Sequence, residues 1–310
     1  MTNFRTEITL KKQNHTIDYK SSIVLIGSCF TQNIGDKLNY FKFNTTINPF
    51  GILFQPSAIE KFILSSINEV VYTNNDVIFH NERWHCFDAH SSLSNANKDH
   101  LLNNLNAILK QTKIEIIKAS HIFITLGSSW VYRFIESGEV VANCHKIQQK
   151  KFNKELLSIQ EIQTNLNSII NAIKSVNKET NIVFTLSPVR HLKDGFLENK
   201  QSKAHLLSAI YQTEATYFPA YEIMMDDLRD YRFYKKDMVH PNQIALDYIW
   251  DKFITTWIST PAVETMDEIN QIQKGLAHKP FNATSEQHHC FLRDLQMKMD
   301  DLEDRYGITF

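Results

Sequence analysis

The sequence predicts an α/β protein built on a parallel, doubly wound sheet, and three observations carry that expectation. Ile23–Val24–Leu25–Ile26 is a run of four apolar, mostly β-branched residues that stops at Gly27 and gives way to a helical pattern beginning at Gln32. A short continuous apolar run of this kind reads as a strand buried on both faces. Two further runs, Ile122–Leu126 and Asn181–Leu186, have the same character and also end in small residues, Gly127–Ser128–Ser129 and Ser187–Pro188. Helical patterns separate these strands, and such alternation implies crossover connections and a parallel sheet.

In chain order, residues 1–20 alternate weakly and are expected as an edge strand or arm. Phe43–Ile47 reads as a second strand that ends in the turn signal Asn48–Pro49–Phe50–Gly51. Ser57 is the expected cap of a helix that places Ile59, Phe62, Ile63 and Ile67 on one face. Residues 72–97 are short, polar and aromatic, and read as a loop-rich insertion near the sheet edge. Lys98–Gln111 is a helix, and Val131–Phe134 with Val140–Val141 forms a hairpin around Ser137–Gly138. Ser158–Val176 is a long amphipathic helix, Lys200–Tyr211 a further helix, and Tyr221–Met225 a short strand. Pro241 is expected at the first position of a helix carrying Ile244, Leu246, Ile249, Trp250 and Phe253. Residues 262–276 and 284–304 are two more helices, giving a division into a domain at 1–258 and a helical extension at 259–310.

Composition narrows the function classes. Lys+Arg number 33 against 34 Asp+Glu, a net charge of −1, so no basic excess points to nucleic acid. No apolar run reaches the ~18 residues of a membrane span, and the charged first ten residues lack a secretory leader pattern. The four cysteines, at 29, 86, 144 and 290, form no C-x-x-C pair, which suits reduced thiols in a cytoplasmic protein. His288–His289–Cys290 falls on a predicted helix, where adjacent side chains diverge, so no metal or other cofactor is expected.

Two stretches carry chemistry. A strand that turns sharply into a helix sets Ser28 and Cys29 at the carboxyl edge of the sheet, where open α/β sheets bind ligands. The helix N-terminus there offers unpaired amides and partial positive charge, which lowers a thiol pKa and stabilises an oxyanion. Near the other end of the chain, Asp237-x-x-His240 lets a carboxylate reach an imidazole nitrogen and fix its tautomer, leaving the other nitrogen to take a proton. Nucleophile, base and orienter together form a template for covalent acyl transfer.

Gly27–Ser28–Cys29–Phe30–Thr31 and Asp237–Met238–Val239–His240–Pro241 resemble the first and last blocks of the SGNH (GDSL-type) hydrolases. The Gly-Ser-Cys-Phe run itself resembles the signature of the GSCFA family, with Thr31 in place of alanine. The resemblance spans roughly residues 20–258 and implies a three-layer α/β/α sandwich and ester or acyl-transfer chemistry on a polar or carbohydrate-linked acyl group. Aligned without a gap, the nucleophilic serine falls on Cys29, with Ser28 as the alternative; Ser28 also reads as a helix N-cap and Cys29 as a small buried apolar residue. Gly51 takes the place of the oxyanion-hole glycine. The oxyanion asparagine falls on Ser129, so that either Ser129 or Asn48 supplies the donor.

Trp84, Asp88, His90 and Ser91 in the insertion, and Trp130, Arg190 and His191 after strand ends, suit a sugar ring or another polar acceptor, with ordinary packing as the other reading. The expected partner is thus a small-molecule or glycan acyl ester. A catalytically inactive module that binds a carbohydrate or a partner is the rival reading. The C-terminal helices, with Leu295, Met297, Met299 and Leu302, serve either as an oligomer interface or as ordinary core.

Overall fold

The computed structural model describes residues 6–310. Among the described residues, ten strands and nine α-helices follow in order: β1 (Ser22–Gly27), α1 (Cys29–Tyr40), β2 (Asn44–Ile47), α2 (Pro56–Ile67), β3 (Ile78–His80), β4 (Arg83–His85), α3 (Lys98–Lys118) and β5 (His121–Leu126). Then come β6 (Trp130–Phe134), β7 (Val140–Val141), β8 (Phe152–Leu156), α4 (Ile159–Val176), β9 (Asn181–Leu186), α5 (Phe196–Ile210) and β10 (Thr216–Phe218). The chain finishes with α6 (Ala220–Glu222), α7 (Gln243–Trp257), α8 (Thr260–Leu276) and α9 (Glu286–Tyr306).

The central sheet has five parallel strands in the order β10-β9-β5-β1-β2. Successive side chains of a strand point to opposite faces, and here both faces are covered. Val24, Ile26, Ile122, Ile124, Ile182 and Phe184 pack in one buried cluster with α2, α3, α4 and α5. The alternate positions Ile23, Leu25, Phe123 and Val183 pack in a second with α1 and α7. The expected three-layer α/β/α arrangement, with helices added at the C-terminus, is what the chain forms. No helix among the described residues is long and apolar enough to cross a membrane.

Several local expectations need correction. Tyr221–Met225 is helical, not a strand: α6 continues into a π-helical turn over Ile223–Asp227, and the edge strand is Thr216–Phe218. Pro219 ends that strand because it has no N–H for a ladder. Gln55, not Ser57, stands at the N-cap of α2, with Pro56 at its first turn. Asn242 caps α7 through its side chain, so Pro241 lies one residue outside, bridged to Tyr234. β8 pairs with β6 to extend the expected hairpin to three strands, β7-β6-β8. The insertion holds a two-stranded hairpin, β3–β4, turned by Asn81 and Glu82 at φ 46° and 59°.

Of the expected N-terminal arm, residues 1–5 lie outside the described residues. The rest clasps the far end of α7: the Ile17 amide donates to Trp257 O at 2.7 Å, and the Ser259 amide to Ile17 O at 2.9 Å. Leu295 and Leu302 of α9 are buried with Ile269 and Ile272 of α8, and Met299 packs against them with Tyr19 and Phe41. Met297 faces outward, 62% exposed.

Candidate active site

The site begins with the close approach of two strands. Gly27 sits at φ +150°, and a Cβ there would lie 2.4 Å from Thr125 O on neighbouring β5. Only glycine fits, and β1 can then bend immediately into α1. The Ser28 amide donates to Thr125 O at 3.2 Å, fixing the bend. Ser28 is 1% exposed, and its hydroxyl accepts from the Phe30 amide as the N-cap of α1. Cys29, the first helical residue, is half-buried instead. Burial pushes its thiol up, against the pull of helix amides and of the Lys203 and Lys235 ammonium groups. The lowered thiol expected from the helix N-terminus is therefore overturned: desolvation of the thiolate outweighs the dipole.

The turn after β2 folds over this bend. Asn48, left-handed at φ 42°, accepts the Gly27 amide on Oδ1 at 2.8 Å. Its Nδ2 is buried with no hydrogen-bond partner among the described residues. Gly51 does not present a free amide, because its N–H donates to Asn48 O at 2.8 Å. Its φ of +75° and its packing against His90 make it a turn residue.

After β5, the amides of Gly127 and Ser128 donate to Phe54 O at 2.7 and 3.3 Å. Ser129 is fully buried and its hydroxyl bonds Ser202 on α5, to O at 3.2 Å and Oγ at 3.1 Å. That hydroxyl is spent inside the fold.

The imidazole arrives on the loop before α7. His240 Nδ1 donates to Asp237 Oδ2 at 2.6 Å. Asp237 Oδ1 also accepts the amides of Val239 (2.9 Å) and His240 (3.0 Å). The His240 amide, the Val239 amide and then the imidazole hold this carboxyl at about 2, so it stays ionised and aligned. Met238, at φ 57°, makes the tight bend that lets one carboxylate reach both amides. Arg190 anchors the loop to the carboxyl end of β9: its amide donates to Val239 O at 3.2 Å, its guanidinium bonds Met238 O, and it lies 4.6 Å from the Tyr234 ring centroid. Since β1, β5 and β9 are parallel neighbours, bend and imidazole share one edge of the sheet. No hydrogen bond joins Cys29 Sγ or Ser28 Oγ to His240 among the described residues.

The family model described as GSCFA family matches residues 22–253, three quarters of the chain and every residue of this edge. The chain belongs to the GSCFA family. A second model, the GSCFA domain protein C-terminal domain, matches residues 269–308 over α8 and α9. Comparison with curated proteins gives no match.

Two further groups complete this edge in the GSCFA chain. Lys203, on α5, is 2% exposed and donates to Ser187 O at 2.8 Å. Burial lowers it to about 7, against the charges of Glu222 and Cys29. The sequence reading missed it, although Asn199, Lys203, Leu206 and Ile210 form one buried helical stripe. His191 stacks on Phe54 with centroids 5.9 Å apart, and its Nε2 is buried without a partner among the described residues. Burial first, then the nearby Lys203 and His240, lower it to about 3, so it is a neutral imidazole.

The other expected substrate residues have internal partners. Trp84 lies against Phe79, 5.2 Å between centroids, and bonds Asn95 through its backbone. Asp88 pairs with Lys61 at 2.8 Å and accepts from Tyr72 at 3.2 Å. His90 Nδ1 meets Ser92 Oγ at 3.0 Å, and Trp130 Nε1 donates to Glu198 O at 3.3 Å.

Proposed function

We propose that this GSCFA protein is an SGNH-like acyl-ester hydrolase or acyltransferase with Cys29 as nucleophile. The observation that carries the reading is the 2.6 Å Asp237–His240 pair, held by Arg190 at the sheet edge where β1 bends into α1. Asp237 fixes the proton on His240 Nδ1, which leaves Nε2 as a lone-pair base. Cys29 is preferred to Ser28 because its side chain is the more exposed and is not the helix cap.

In the first step Cys29 Sγ forms a bond to the ester carbonyl carbon while its proton passes to His240 Nε2. The carbonyl electron pair moves to oxygen, and the unpartnered amide of Asn48 is the side-chain donor proposed for that oxyanion. Collapse breaks the carbon–oxygen bond, and His240 returns the proton to the leaving alcohol. Water or an acceptor hydroxyl then attacks the thioester carbon and gives its proton to His240; the carbon–sulfur bond breaks, the acid or new ester leaves, and His240 returns the proton to Cys29 Sγ. The burial-raised thiol suits this order, since the resting group is protonated and the base acts only when substrate is present.

The rival reading is an inactive binding module. It is favoured by the Ser129 hydroxyl being bound to Ser202 and by the absence of a bond from Cys29 to His240. Hydrolysis of short acyl esters by the wild type and by His240→Ala separates the two. A loss of two orders of magnitude or more on substitution supports catalysis. Equal rates reject the mechanism, and no turnover with no acyl label on residue 28 or 29 favours binding.

A further inference from the structure

Away from the sheet edge, the insertion and the segment after β7 enclose a cleft of about 480 Å³. Its lining contains Arg83 and Lys146 and no Asp or Glu. Neither cation has a carboxylate partner among the described residues, and both side chains are exposed. At its floor the rings of His85 and His145 lie 4.6 Å apart.

Hydrogen bonding fixes both tautomers. His85 Nε2 donates to His80 O at 2.9 Å, and its Nδ1 accepts from Ser94 Oγ at 2.6 Å, so this ring is satisfied. His145 Nε2 donates to Cys86 O at 2.7 Å. A carbonyl only accepts, so the proton is on Nε2 and Nδ1 holds a lone pair. That Nδ1 is buried with no partner among the described residues, on a side chain only 4% exposed. Buried polar groups are almost always paired, so this orphan, on a residue that lines the cleft, calls for a donor.

The chemistry of the occupant follows from these two requirements. The Arg83 guanidinium is held at the cleft by a bond to Ser94 O, and neither it nor the Lys146 ammonium is neutralised by a carboxylate, so both attract negative charge. The Nδ1 lone pair needs an O–H or N–H and would repel a bare anion. Ser94 Oγ, having donated to His85, has acceptor capacity left for a hydroxyl. We propose that this cleft binds a hydroxylated anion, a sugar ring carrying a carboxylate or a phosphate. Burial and the neighbouring histidines hold His145 at about 4, which keeps it an acceptor at neutral pH.

A short chain connection links the cleft to the candidate active site. Ser91 and Ser94 line it, and the preceding His90 donates its amide to Phe50 O at 3.1 Å and packs against Gly51 in the turn that carries Asn48. A glycan held here would extend toward the bend at Cys29. That extension rests on the ester reading above; the binding itself does not.

Calorimetric titration of the full chain at pH 7.5 tests the site with galacturonate and glucose 6-phosphate, and with glucose, acetate and inorganic phosphate as controls. One of the two sugar anions is expected to bind at least tenfold tighter than every control, and which one does identifies the charged group. The double variant Arg83→Met/Lys146→Met is expected to weaken that binding tenfold or more. His145→Phe is expected to remove the preference over acetate and phosphate. If His145→Phe does not fold, the double variant decides, because both its positions are exposed. No heat with either sugar anion, equal binding of acetate or phosphate, or binding unchanged in the double variant overturns the proposal. The readout needs no turnover, so its failure is separate from that of the His240→Ala test.

Discussion

The amide of Arg190 donates to the carbonyl of Val239 at 3.2 Å, and through that bond the loop after β9 sets where His240 stands. The guanidinium of the same residue bonds Met238 O and lies over Tyr234 and Tyr231. An arginine expected to meet substrate is bonded to the loop that carries the proposed base. Arg190→Met should therefore lower kcat/KM for acyl esters about 10²-fold, the cost of a misplaced catalytic group. Arg190→Lys should not restore it, because an ammonium lacks the planar face that stacks on tyrosine. Steady-state hydrolysis checks this, with thermal unfolding measured to establish that each variant folds.

Asn48 and Ser129 make opposite predictions. Asn48→Ala removes the unpartnered amide and should cost about 10²–10³ in kcat, as loss of an oxyanion donor does, along with the stability of the Oδ1 bond to the Gly27 amide. Ser129→Ala should leave kcat near wild type and cost about 1 kcal/mol or more of stability through the lost bonds to Ser202. Parallel kinetics and urea denaturation separate the two, and a reversed pattern would show that the donor has been misassigned.

Thiol reactivity should follow burial. With iodoacetamide at pH 7, the exposed Cys290 is expected to be modified first and Cys29 slowly, its rate climbing as the solution turns alkaline. Cys86, 2% exposed and pushed up to about 12, should be slowest. Peptide mass spectrometry after timed quenching reads the order.

Lys203 gives stability a pH signature. The unfolded chain keeps this proton up to a pKa of ~10.4, whereas the folded chain releases it near 7. Between those values the unfolded state binds more protons, so its contribution to stability rises with pH, and below 7 the penalty is constant. Comparing urea midpoints of wild type and Lys203→Met from pH 6 to 10 isolates the effect. The wild type should gain on the variant above pH 7, and parallel curves would place the lysine in water.

Gly27→Ala tests the strand crossing. Left-handed strain and the 2.4 Å clash with Thr125 O should together cost about 2–6 kcal/mol. Equilibrium denaturation measures it, and a loss under 1 kcal/mol would mean that β1 and β5 can separate freely.

The parts legible in the sequence are those whose signal is local. Ile23–Ile26, Ile122–Leu126 and Asn181–Leu186 are apolar on both faces, a pattern that only a covered strand needs. Asp237 and His240 lie three residues apart, so one loop suffices to join them. What was missed depends on distant partners. Phe152–Leu156 contains two exposed polar residues and becomes a strand only because β6 pairs with it. Lys203 reads as a solvated helix residue until Ser187 and Cys29 are brought beside it. Ser129 resembles an open hydroxyl because Ser202, which binds it, is 73 residues away.

The bend at Cys29 and the imidazole of His240 are separated by 240 − 29 = 211 residues of chain. A ribosome adding ~5–20 residues per second needs roughly 10–40 s to span that gap. Throughout that interval the sulfur is already synthesised while the imidazole proposed as its base does not yet exist. Until residue 240 is made the two cannot act as a pair, and Cys29 has only the ordinary reactivity of an unburied thiol.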